Sequence, residues 1–157
     1  MNSNDRIREA TESDISVLCT LMEELSGSSL TEEEMRNRMK MIQDSRTDSL
    51  YVYEEDGEVR GTLGFRVKEN IREISRYGEI CIVIVKSEHK RFGIGKRLMA
   101  YGEQLAQQLG CKAAYLNSGF GRAEEAHLFY KALGYEITGY RFVKTLERID
   151  PNDSITL

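Results

Sequence analysis

Apolar positions in the first third of the chain recur at spacings of three and four. Ile15, Leu18, Met22 and Leu25 fall on one helix face, and Met35, Met39 and Ile42 repeat the pattern. Thr11-Glu12-Ser13-Asp14 precedes the first run and Thr31-x-x-Glu34 the second, both of the kind that caps helix starts. Ser26-Gly27-Ser28-Ser29 separates them, and residues 7–10 ahead of them read as a short edge strand. From Leu50 the period changes. Residues 50–53 and 59–67 are β-rich and flank Asp56-Gly57, a strong hairpin signal. A third strand runs over 77–85. Its core, Ile80-Cys81-Ile82-Val83-Ile84-Val85, does not alternate, which predicts a central strand covered on both faces.

The spacing then predicts a helix over 93–109 with Leu98, Gly102, Leu105 and Leu109 on one face and Gly110 closing it. A strand over 113–116, a helix over 124–133 and two last strands over 136–138 and 140–146 complete the order. The order β-α-α-β-β-β-α-β-α-β-β predicts an α/β (α+β) domain. Its mixed, mostly antiparallel twisted sheet has about seven strands flanked by four helices. No repeat or linker divides the chain, so residues 1–148 are expected to form one domain and 149–157 a polar tail.

Composition narrows the function. The chain has 157 residues, 40% hydrophobic and 31% charged, enough for one real core. Twenty-two basic residues against 26 acidic leave a net charge of −4, which argues against a nucleic-acid partner. The longest apolar run, Ile80 to Val85, is far too short to cross a membrane. The start, Met1-Asn2-Ser3-Asn4-Asp5, carries no export or organelle signal, so a cytoplasmic location and no membrane partner are expected. Cys19, Cys81 and Cys111 are odd in number and far apart, with no Cys-x-x-Cys, so neither a metal nor a disulfide framework is expected. Cys81 and Cys111 sit in apolar surroundings and read as inert core thiols.

The richest segment is Lys90-Arg91-Phe92-Gly93-Ile94-Gly95-Lys96-Arg97, between the central strand and the long helix. Glycines there let backbone approach a ligand, and the helix start offers unpaired N–H groups and a positive dipole end. Lys90, Arg91, Lys96 and Arg97 add charge, so the segment reads as an anion site suited to a diphosphate. Its spacing matches neither G-x-x-x-x-G-K-[ST] nor G-x-G-x-x-G.

Lys90-x-x-Gly93-x-Gly95 resembles the (Gln/Arg)-x-x-Gly-x-(Gly/Ala) signature of the GCN5-related N-acetyltransferases, with Lys90 as the departure. The element order over 6–147 and the Asp56-Gly57-Glu58-Val59-x-Gly61 hairpin match as well. The resemblance implies an acyl-CoA N-acyltransferase fold and acetyl-coenzyme A as co-substrate, held by backbone at Lys90, Arg91, Phe92, Gly93, Ile94, Gly95 and Lys96. It implies that Val83 and Val85 offer free strand groups to the pantetheine arm, with the Val83 amide facing the thioester carbonyl. Glu79 falls where the histone-acetylating branch places its general base, and a solvated strand end is the competing reading. Phe129-Tyr130-x-x-x-Gly134-Tyr135 resembles the family's second signature and implies Tyr130 as the acid that protonates the leaving thiolate. Many members carry an Asn where this chain has Ala123; Asn117 serves a ligand role instead or merely turns the strand end. Arg122 pairs with a phosphate or an acidic substrate, or is solvated surface. His127 reads as a packing residue or as one that supports a neighbouring site residue.

The implied activity is direct transfer of an acetyl group from acetyl-CoA to a primary amine, without a covalent enzyme intermediate. Residues 25–30, 71–77 and 138–141 would face the acceptor. They carry Arg72, Arg76, Tyr77, Tyr140 and Arg141 and few acids beyond Glu73, favouring a small amine that bears an anion. A protein lysine or N-terminal acetyltransferase and a non-catalytic coenzyme-binding module are the alternatives, and a homodimer is left open.

Overall fold

A computed structural model describes residues 4–119 and 124–156. β1 (Asp5–Glu9) leads through a single 3-10 turn into α1 (Ile15–Ser26) and α2 (Glu32–Asp44). β2 (Asp48–Glu55), β3 (Glu58–Glu69) and β4 (Arg76–Val85) follow, then α3 (Ile94–Gln108), β5 (Ala113–Tyr115) and α4 (Glu124–Ala132). The strands lie side by side in chain order. β1 to β4 pair antiparallel, and β5 joins β4 in parallel, with α3 as the crossover.

Local chemistry accounts for the turns. Asp56 and Gly57 both take positive φ, 52° and 77°, the geometry of a two-residue hairpin that keeps β2 and β3 twisted together. Thr31 and Glu34 cap the start of α2 reciprocally, the Glu34 amide donating to Thr31 Oγ1 at 3.1 Å and the Thr31 amide to Glu34 Oε2 at 2.8 Å. Asp14 is buried where β1 meets α1. Arg8 donates to it from two nitrogens, at 2.7 and 2.9 Å, and the Thr11 amide at 2.8 Å. Burial alone would raise the Asp14 carboxyl, but the Arg8 fork and the amide outweigh it and hold it below its ordinary value.

The sheet has helices on both faces. Leu50 and Val52 pack with Ile15, Leu18, Leu21, Met35 and Met39 of α1 and α2. Their strand neighbours Tyr51 and Tyr53 pack with Ile94, Leu98 and Met99 of α3. β4 needs an extra device to serve both layers. Gly64 pairs with Ile82 and Phe65 with Ile80, so Cys81 is a bulge residue without a partner on β3. Strict alternation would put Ile80, Ile82 and Ile84 on one face. The extra residue leaves Ile80 in the α3 layer and sends Ile82 and Ile84 to the α1–α2 layer. Five of the six apolar residues of the run thereby pack into one layer or the other, and Cys81 alone is left out.

Among the described residues the sheet has five strands rather than about seven. Residues 136–138 and 140–146 are β-rich in composition but form no strand, and Ile137, Tyr140 and Phe142 are 75%, 80% and 93% exposed. A strand needs a neighbour to take its N–H and C=O groups, and this segment makes no hydrogen bond to another described residue.

Close approach of α3 to the sheet depends on Gly78. A Cβ there would lie 2.8 Å from Phe65 Cε2 and 2.9 Å from Ala106 Cβ. Gly78→Ala is expected to lower stability by about 1–3 kcal/mol through overpacking, read as an earlier urea midpoint. An unchanged midpoint would contradict this seating of α3 on β4.

Candidate functional site

β4 and β5 part company immediately before the bulge. Their pairs are Tyr77 with Ala113, Gly78 with Ala114 and Glu79 with Tyr115, and pairing stops there. From Ile80 to Val85, β4 keeps β3 on one side, while on the other no described strand takes the alternate N–H and C=O groups. Val83 and Val85, both half-buried, lie in this stretch and pack with the α3 layer.

The chain then enters the glycine loop. Lys90 is extended, but Arg91 and Gly93 both take left-handed backbone, at φ 71° and 80°. For arginine this costs on the order of 1 kcal/mol, so the turn is imposed by the loop rather than chosen by the residue. Gly93 caps α3, and the Arg97 amide makes the first helical bond, to the Gly93 carbonyl at 3.1 Å. None of the N–H groups of residues 91–96 donates to another described residue. Six donors and the positive end of α3 therefore converge beside the open edge of β4, an arrangement able to hold a phosphate or diphosphate.

Three exposed bases, rather than four, surround the loop. Lys90, Arg91 and Lys96 are exposed, with Arg91 4.0 Å from Glu125. Arg97 turns away and donates to Asp5 at 2.8 Å and to Tyr53 Oη at 2.6 Å, tying α3 to β1 and β2. Ile94 is buried and Phe92 exposed. At Gly95 three elements meet: a Cβ there would be 3.4 Å from the Phe129 ring of α4 and 3.8 Å from Val85 of β4.

Tyr130 follows Phe129 on α4. It is half-buried, edge-on to Phe129 at 5.3 Å and to Tyr135 at 6.3 Å. The Tyr130 carbonyl receives the amides of Leu133 and Tyr135, each at 3.1 Å, which ends the helix at Gly134. Tyr135 in turn donates to Glu103 at 3.0 Å, fastening the end of α4 to α3. Burial, then that hydrogen bond, raises the Tyr135 phenol well above its ordinary value.

Glu79 occupies the other face. Its carboxylate is 13% exposed, lies 3.1 Å from Lys68 Nζ and accepts from Tyr115 Oη at 3.3 Å. Lys68 also sits over the Tyr115 ring, 5.7 Å from its centre. Tyr115 first, then Glu79, raises the Lys68 ammonium above its ordinary value. Glu79 is thus a held carboxylate rather than a solvated strand end. Lys68 and Tyr115 were not singled out in the sequence, because only the register Arg66–Glu79 and Glu79–Tyr115 brings them together. Tyr130 packs in the α3 layer, and Glu79 is the last β4 residue paired with β5.

Asn117 lies just beyond β5, exposed, and its side chain makes no hydrogen bond among the described residues. Arg122 and Ala123 lie outside the described residues. His127 is half-buried on α4. Glu58, Glu88 and His89 bring three ligand-type atoms within 4.8 Å of one another, but Lys86 Nζ already stands 3.1 Å from Glu58 Oε1. Cys81 is exposed and not a core thiol, because the bulge turns it out of both layers. Its sulfur still lies against the strand, 3.8 Å from the Glu79 carbonyl. Desolvation first, then the Glu79 charge, pushes the thiol up to about 11.

Comparison with known proteins matches residues 18–135 to the sequence model of the acetyltransferase (GNAT) family. An aminoalkylphosphonate N-acetyltransferase of Salmonella typhimurium is 31% identical over 91 residues, which cover 58% of this chain and 58% of that protein. A GNAT family acetyltransferase of Staphylococcus aureus superposes with a TM-score of 0.77 at 27% identity, covering 91% of this chain and 99% of its own. Aminoglycoside N-acetyltransferase AAC(6')-Iy, solved in complex with CoA, superposes with a TM-score of 0.79 at 16% identity, covering 95% and 98%. The last likeness shows the fold alone.

The surroundings of Cys81 set its reactivity. At neutral pH the group is a thiol, so alkylation by iodoacetamide is expected to be slow and to rise about tenfold per pH unit until the thiol titrates near 11. Glu79→Gln removes the negative neighbour, lowers the thiol pKa and is expected to speed alkylation at pH 8 several-fold. Equal rates in the two proteins would contradict the placement of Glu79 beside the bulge.

Proposed function

The chain belongs to the GNAT family of acetyltransferases, and we propose that it transfers the acetyl group of acetyl-CoA to the primary amine of a small molecule that bears an anionic group. The observation that carries this reading is the open edge of β4, running from the last β5 pair at Glu79 straight into a loop whose six N–H groups at 91–96 have no partner among the described residues. A pantetheine arm carries amides that can pair with a free strand edge, and a pyrophosphate suits converging backbone donors at a helix start. The residues present therefore fit the coenzyme. Lys90, Arg91 and Lys96 supply charge around the loop, and Gly95 keeps its floor low where β4, α3 and α4 meet. The CoA complex of the aminoglycoside N-acetyltransferase supports the same assignment for this fold.

Each residue of the gap has a role in the proposed reaction. The bound thioester supplies the acetyl group, and the Val83 amide donates to its carbonyl oxygen as negative charge builds there. The attacking amine must lose a proton, and Glu79 accepts it through water. Lys68 at 3.1 Å and Tyr115 at 3.3 Å hold its carboxylate in place. The Tyr130 hydroxyl donates a proton to the leaving sulfur. Amine and thioester held side by side need no enzyme nucleophile, and proximity supplies much of the rate.

The acceptor class rests on charge. Arg72 and Arg141 are exposed in two of the three segments expected to face the acceptor. Arg76 is committed to Glu69 at 2.6 Å and to the Leu109 carbonyl at 3.2 Å, so it is not counted toward the acceptor. The aminoalkylphosphonate N-acetyltransferase acts, by its name, on amines that carry an anion, which supports this reading.

An acceptor screen that follows free CoA release tests the proposal. Aminoalkylphosphonates and amino-carboxylates are expected to be acetylated faster than uncharged amines, polycations or lysine peptides. Preference for peptides would move the acceptor to protein, and acetyl-CoA binding without turnover on any amine would leave a binding module. With a good acceptor, Tyr130→Phe is expected to lower kcat by roughly 10²–10⁴-fold with little change in coenzyme affinity. Glu79→Gln is expected to show a defect that shrinks as pH rises and the amine loses its proton unaided. A Tyr130→Phe enzyme as fast as the parent would make Tyr130 a packing residue, and a Glu79→Gln profile parallel to the parent's would remove Glu79 as base.

A further inference from the structure

The face of the sheet under α1 and α2 is covered only in part. Those helices pack on Leu50, Val52, Ile82 and Ile84. Alternation puts Asp48 on the same face of β2 as Leu50. The register then sets Arg66 across from Asp48, Glu79 across from Arg66 and Tyr115 across from Glu79. With Lys68 these residues form a polar floor beside the helices, where β4 parts from β5. The charges of Glu79, Arg66, Asp48 and Lys68 all act on the thiol of Cys81, which is exposed among them.

Arg66 and Glu79 are directly opposed on neighbouring strands, a position where opposite charges ordinarily pair. Here each has taken another partner. Arg66 leans to β2 and donates to Asp48 through Nε at 2.8 Å and Nη2 at 2.7 Å. Glu79 is drawn to Tyr115 on β5 at 3.3 Å and to Lys68 at 3.1 Å. The two heads are thereby held apart, with a cation on one side of the space between them and a carboxylate on the other. Asp48 takes two of the five guanidinium donors, and the others have no partner among the described residues. The Arg66 side chain is 45% exposed, so those donors are open to a ligand. The hydrogen bond from Arg66 holds the Asp48 carboxyl below its ordinary value, so the clamp persists at neutral pH. A guanidinium fixed along one edge offers its other edge to a second oxyanion at little further cost in order.

We propose that Arg66 receives the anionic group of the acceptor. The inference rests on the acetyl-transfer reading above: the amine lies toward Glu79, and the anion of the same molecule lies on the free edge of Arg66. The floor suits a short zwitterion better than a polycation or a polyanion, because two carboxylates, Asp48 and Glu79, balance two bases, Arg66 and Lys68. An uncharged amine would reach Glu79 and leave the donors of Arg66 unused.

Two measurements test the proposal. One is kcat/KM of the parent and of Arg66→Gln for 2-aminoethylphosphonate and for n-propylamine. The other is the Arg66 Nε–H resonance of the CoA-bound parent as each amine is added. The substitution is expected to lower kcat/KM for 2-aminoethylphosphonate by roughly 10–100-fold, through KM rather than kcat, and to leave n-propylamine within about twofold. The resonance is expected to shift saturably with 2-aminoethylphosphonate and to stay in place with n-propylamine. Should Arg66→Gln fail to fold, the resonance in the parent decides alone. Acetylation of no amine would remove the transferase reading, and the resonance would still decide whether Arg66 takes the anion. A resonance unmoved by 2-aminoethylphosphonate overturns the proposal. So does an Arg66→Gln enzyme that loses equally on both amines or on neither.

Discussion

One extra residue in β4 sets the rest of this structure. Cys81 has no partner on β3, and its insertion does two things at once. It shifts the side-chain phase, so that Ile80 packs under α3 while Ile82 and Ile84 pack under α1 and α2. It also bends the strand at the point where pairing with β5 ends, since Glu79–Tyr115 is the last pair before it. A regular strand would pair along its length with a parallel neighbour and leave no backbone free. The bulge trades that pairing for an open edge inside a buried sheet, and an open edge next to a helix start is a place for an extended, anionic ligand.

Once the edge exists, the surrounding elements hold it in place. Gly78 and Gly102 let α3 lie close on the sheet, with Gly102 3.1 Å from Ile80 at the position of a Cβ. Arg97 ties the same helix to Asp5 and Tyr53, so the loop before it is anchored from behind. Tyr135 on Glu103 fixes the end of α4 and with it Phe129 and Tyr130. On the other face Lys68 and Tyr115 supply the nearly buried Glu79 carboxylate with an ion pair and a hydrogen bond.

Much of this was legible in the residues. The two capping boxes, Asp56-Gly57 and the apolar spacing of α1 and α3 placed their elements to within a residue or two. The non-alternating run in β4 pointed to burial on both faces, and the glycine loop to an anion site. What sequence could not supply was register. Cys81 looks like any core cysteine until its neighbours are paired off and it is left over. Lys68 lies eleven residues from Glu79, and nothing local to either announces their ion pair. Arg97 is one more base in a basic loop until Asp5 and Tyr53 claim it. The stretch after Tyr135 has the composition of strands, but whether such a segment is a strand depends on a neighbour that its own sequence does not specify.

The central claim is that the open edge of β4 and the loop after it form one coenzyme site, and amide chemical-shift mapping of the ¹⁵N-labelled protein with CoA tests it most directly. The account predicts that the amides of residues 81–85 and 91–96 move together along one titration curve, with those of β1, β2 and α2 unmoved. Shifts confined to other surfaces, or movement of the loop with the edge of β4 left untouched, would contradict it.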